Sequence, residues 1–122
     1  MTIRQALENL DQSKFNTVSQ QKKIGWLSQL DLMAQELLTE NFEDVADVLP
    51  SYNAQTDLDT QLLICAPYDE VYGYYLAAMV DFENQEFDRF NNAIAMYSAA
   101  WQRYVNHVLR TRTPKNLGDF HG

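Results

Sequence analysis

The side chains that could carry chemistry are few and scattered. They are two histidines, His107 and His121, a single cysteine, Cys65, and an adjacent carboxylate pair, Asp69 and Glu70. Nucleophilic hydrolysis needs a base held against the nucleophile, yet one histidine sits inside a helical pattern and the other near the C-terminal end. Asp69 and Glu70 follow Pro67 where a helical pattern begins. Acids there complement the positive end of the helix, so they read as first-turn acids rather than as a general acid/base pair. Cys65 has no partner for a disulfide and no metal-ligand spacing; it reads as a small apolar core thiol. The helical zinc and di-iron spacings are absent, and so are the glycine-rich phosphate loops. A noncatalytic protein without metal or cofactor is expected.

Composition sets the frame for those residues. With 122 residues, 46% of them hydrophobic and 12% aromatic, the chain can bury a core and matches one domain. Its longest apolar run, YYLAAMV, is too short to cross a bilayer. The first residues, MTIRQALENLDQ, lack the apolar core of a secretory signal, so cytosolic residence is expected.

The net charge of −8 disfavours wrapping duplex DNA. From Ile24 to Asp88 there are fourteen acidic residues and no Lys or Arg, whereas Arg89 to Gly122 carries five basic residues against Asp119. A chain polarised in this way can attract copies of itself head to tail, building rings or filaments. A solvated acidic face is the plainer reading of the same charges.

Helical periodicity organises most of the chain. Thr2 and Gln5 form a capping box, after which Ile3, Ala6, Leu7 and Leu10 share a face, giving a helix over about 3–12. Ser19 caps a second helix over about 20–39, with Ile24, Leu27, Leu30, Ala34 and Leu38 at helical spacing. The acidic, periodless stretch 40–60 reads as a loop with at most a weak turn near Asp44 to Val48. Pro67 suits the first position of a third helix over 67–84. Its face comprises Tyr68, Val71, Tyr72, Tyr75, Leu76, Met79 and Phe82.

A fourth helix over 86–110 carries Phe87, Phe90, Ile94, Tyr97, Trp101, Tyr104 and Val108 at alternating spacings of 3 and 4, the seam of a helix packed lengthwise on a partner. The short connection at Asn84 and Gln85 between the last helices implies an antiparallel hairpin. Tyr72, Tyr75, Tyr97 and Tyr104 read as rim residues, ring inward and hydroxyl outward. The expected fold is all-α: residues 1–110 as one small bundle of about four helices, and 111–122 as an extended tail bearing Arg112 and Lys115.

The run LLICAPYDEVY, ending at Tyr72, the DRFNN segment from Asp88 to Asn92, and LRTRTP from Leu109 to Pro114 together resemble a family of small helical proteins from tailed bacteriophages and prophages. The family pattern has proline where Cys65 stands and asparagine where Leu109 stands. The family is similar to head-tail connector, or adaptor, proteins. The resemblance implies a virion assembly protein that docks on the portal and forms or joins a homo-oligomeric ring in the virion neck, after assembly in the bacterial cytoplasm.

On this reading Arg110, Arg112, Lys115 and Phe120 reach a neighbour or the portal. Pro67, Tyr68, Asp69, Glu70, Tyr72, Asp88, Asn91 and Asn92 have structural jobs: Asp69 and Glu70 cap the third helix, Tyr68 and Tyr72 pack it, and Asn91 with Asn92 bond to the loop before LLIC. Specific nucleic-acid binding and membrane binding are not expected. An alternative from the acidic span is a phage regulatory module that mimics DNA and occupies a host nucleic-acid-binding protein. A third, a small hydrolase using Cys65, has no further support in the residues.

Overall fold

In the computed structural model, residues 1–42 and 50–111 are described, and they form four helices. These are α1 (Ile3–Ser13), α2 (Gln20–Asn41), α3 (Glu70–Glu83) and α4 (Phe87–Thr111). The turn expected near Asp44 to Val48 and the tail positions Arg112, Lys115 and Phe120 lie outside the described residues. No described helix is long and apolar enough to cross a membrane.

Both N-terminal caps form as the sequence dictates. Thr2 accepts from the Gln5 amide while the Gln5 side chain takes the Thr2 amide, and Ser19 accepts from the Lys22 amide. The loop contributes a second set of partners at α1. The amides of Ile3 and Arg4 donate to the carbonyls of Thr60 and Leu58 at 3.1 and 2.8 Å, so distant chain satisfies first-turn donors that no helix can satisfy internally.

α3 is the centre of the bundle. It packs against α1, α2 and α4, whereas α4 contacts no other helix. This explains why α3 is apolar on more than one side: Val71, Tyr72, Leu76, Ala78 and Val80 are all buried. Ile3, Leu7 and Leu10 from α1 and Ile24, Leu27, Leu30 and Leu38 from α2 complete the core, joined by Leu62 and Ile64 from the loop. Each such side chain contributes about 1.5–3 kcal/mol of burial.

The α3–α4 hairpin has a heptad register. Tyr68, just before α3, meets Tyr104 at 6.5 Å between ring centroids, Tyr75 meets Tyr97 at 5.1 Å, and Phe82 meets Phe90 at 5.4 Å. Each rung lies seven residues from the next on both strands of the hairpin, the repeat of a coiled-coil seam. The hairpin closes through a Schellman motif: the Glu86 amide donates to the Asp81 carbonyl at 2.9 Å, and the Gln85 amide to that of Phe82 at 3.0 Å. Gln85 occupies the left-handed position, at φ 58°.

The third helix begins later than expected, at Glu70 rather than Pro67. A turn takes up the intervening residues, with the Tyr68 amide donating to the Cys65 carbonyl at 3.0 Å and the Ala66–Pro67 peptide cis. The seam is also shorter than the pattern implied. Tyr104 and Val108 are buried, but Phe82 and Phe87, in ring contact with each other at the hairpin turn, are more than half exposed.

Candidate functional site

Three segments converge on one buried carboxylate. Asp31, on the inner face of α2, is fully buried. It accepts from the Tyr52 hydroxyl at 2.5 Å, the Tyr72 hydroxyl at 2.5 Å and the Leu63 amide at 3.0 Å. Tyr72 in turn accepts from the Ile64 amide at 2.7 Å. Burial outweighs these three bonds and raises the Asp31 pKa above 3.8. Burial also raises the two tyrosines, with the adjacent carboxylate adding to it. The result is a clasp: α2 holds the loop through Tyr52 and Leu63, and α3 holds the same loop through Tyr72 and Ile64.

Tyr72 therefore differs from the rim role expected of it. Its hydroxyl points inward to Asp31, a carboxylate that stands in the apolar stripe of α2 at the helical spacing of Ile24, Leu27, Ala34 and Leu38. The rest of the motif is also architectural. Tyr68 stacks on His107 of α4 with ring centroids 4.4 Å apart. Asp69 occupies the cap position of α3 but makes no side-chain cap bond; it lies 3.7 Å from the Met1 ammonium instead. Glu70, in the first turn, pairs with Arg103 across the hairpin.

Cys65 is exposed, not a core thiol, because the turn at Pro67 carries it outward. Together with Tyr68, Tyr104 and His107 it lines a cleft of about 160 Å³ where the loop meets α4. No cluster of three potential metal ligands exists among the described residues.

Asp88, Asn91 and Asn92 are exposed on the first turns of α4. The expected bonds from Asn91 and Asn92 to the loop before LLIC do not form. Asp31 and Tyr72 take the amides of Leu63 and Ile64 within LLIC, and the start of α4 lies at the turn end of the hairpin.

Folding pairs six of the seven described Lys and Arg side chains with acids. Arg4 pairs with Asp59, Lys14 with Asp81, Lys22 with Glu83, Lys23 with Asp11, Arg89 with Glu86 and Arg103 with Glu70. Among the described residues, Arg110 is the remaining cation, exposed near the end of α4. Lys14 and Lys22 hold the α1–α2 connection against the end of α3, which brings Phe15, 90% exposed, to the Phe82 end of the bundle.

Compared with family models, with curated proteins and with solved structures, the chain matches none.

Proposed function

We propose that the protein is a noncatalytic assembly component of a tailed-phage virion, a head-tail connector that docks on the portal and joins a ring in the neck. The observation that carries this reading is the division of labour between the motif and the surface. Tyr68, Tyr72 and the LLIC segment, which bear the family resemblance, are spent on the clasp and the hairpin seam. What remains for partners is a rigid two-helix arm with phenylalanines exposed at one end and Leu109 and Arg110 at the other. Apolar side chains clustered on a surface mark protein contacts rather than reaction chemistry.

The test is co-expression with the cognate portal protein, followed by sedimentation. A connector comigrates with the portal; a chain that stays at the top of the gradient with portal in excess defeats the reading. Acids outside every ion pair among the described residues, Glu8, Glu36, Glu40, Asp57 and Asp88, support a second reading, a DNA mimic. A mimic displaces duplex DNA from its target in competition binding, and a connector does not.

A further inference from the structure

We infer that the two ends of α4 are complementary halves of one interface, so that the Leu109–Arg110 end of one copy seats on the Phe87–Asp88 end of the next. Four observations carry this inference. Phe82 and Phe87 are 54% and 56% exposed, with ring centroids 6.3 Å apart, and together with Glu83 and Gln85 they line a recess at the hairpin turn. Asp88 stands beside them, exposed and outside every ion pair among the described residues. At the opposite end Leu109 is 53% exposed, and Arg110 is the described cation without an acid. Tyr68, Arg103, Asn106 and Arg110 line a second recess there.

Each end thus presents exposed apolar side chains, two phenylalanines at one and a leucine at the other, beside a charge outside the ion pairs, and these two charges are opposite. Asp88 and Arg110 also suit the dipole of their own helix. That accounts for their signs but not for the bare phenylalanine and leucine next to them.

The occupant we assign is a second copy, because each end of α4 carries the charge opposite to that of the other end. Asp88 and Arg110 are 22 residues apart on one continuous helix, about 33 Å at 1.5 Å per residue, so the two ends of one chain cannot meet. Contact between unlike ends is heterologous, and repetition closes a ring or runs into a filament. A ring rests on the connector reading; the contact itself does not.

Charge reversal tests the contact, read by sedimentation equilibrium of the full chain up to millimolar concentration. The wild type is expected to self-associate, and more weakly at high salt. Asp88→Arg and Arg110→Glu each place like charges in the interface and weaken association about tenfold or more. Combining both reversals in one chain, or mixing the two single variants, restores opposite charges and restores association. Phe87→Ser weakens it in every background, and unchanged circular dichroism shows that the variants fold.

A wild type that is monomeric throughout overturns the inference. So do single reversals that associate like the wild type, or a double reversal that is no better than either single one. Self-association without portal binding defeats only the connector function. Portal binding by a monomer defeats only this interface.

Discussion

The Tyr72 hydroxyl donates to Asp31 at 2.5 Å across 41 positions of sequence, and the same oxygen accepts the Ile64 amide. One phenol thereby fixes α3 to α2 and the loop to both. Tyr72→Phe leaves a buried amide and a carboxylate oxygen short of a partner, a loss of about 1–3 kcal/mol. Urea denaturation of Tyr72→Phe, Asp31→Asn and the double variant measures it. The double variant is expected to lose less than the sum of the single losses, because the two residues share one bond; additive losses would mean that the clasp does not act as a unit.

The sign of the pH dependence follows from the raised pKa of Asp31. The folded state holds this proton more tightly than the unfolded chain, so the stability contributed by Asp31 falls as pH rises from 3.8 to the raised folded value, and the fall is complete above it. Asp31→Asn removes that component. The stability advantage of the wild type over the variant is therefore fully present below pH 3.8 and is lost as pH rises through the raised folded value. An advantage that grows with pH contradicts the assignment.

Gln85 adopts a left-handed backbone, at φ 58°, in the cap that joins α3 to α4. A side chain is strained there and glycine is not. Gln85→Gly is expected to raise stability by about 1 kcal/mol, visible as a higher thermal midpoint with the hairpin unchanged.

Gly25 and Gly73 lie inside helices, and a Cβ at either position meets nothing within 4 Å. Each costs its helix about 0.5–1 kcal/mol relative to alanine. Gly25→Ala and Gly73→Ala should therefore each stabilise the isolated protein by that amount, measured by chemical denaturation.

The Cys65 thiol is exposed in the folded chain. A maleimide should label it stoichiometrically without denaturant, at a rate that urea changes little. Labelling only after unfolding would return Cys65 to the core.

Periodicity and capping made four helices and the hairpin legible, because both are local: Thr2 and Ser19 stand where first-turn amides need acceptors, and the 3 and 4 spacing of α4 makes its seam. Local rules did not reach the loop from Pro50 to Asp69. Its backbone groups are satisfied by Asp31, Tyr72 and the amides of α1, partners that only folding brings near. Nor could they reach Cys65, whose exposure depends on the turn at Pro67, or the pairing of charges between distant segments. The sequence by itself determined which residues are helical and which faces are apolar, since these depend on neighbours within one or two turns. Only the tertiary structure decided that Asp31 meets Tyr52 and Tyr72, that Phe87 is bare and that Arg110 has no acid, because such contacts and charge pairing depend on which segments meet in space.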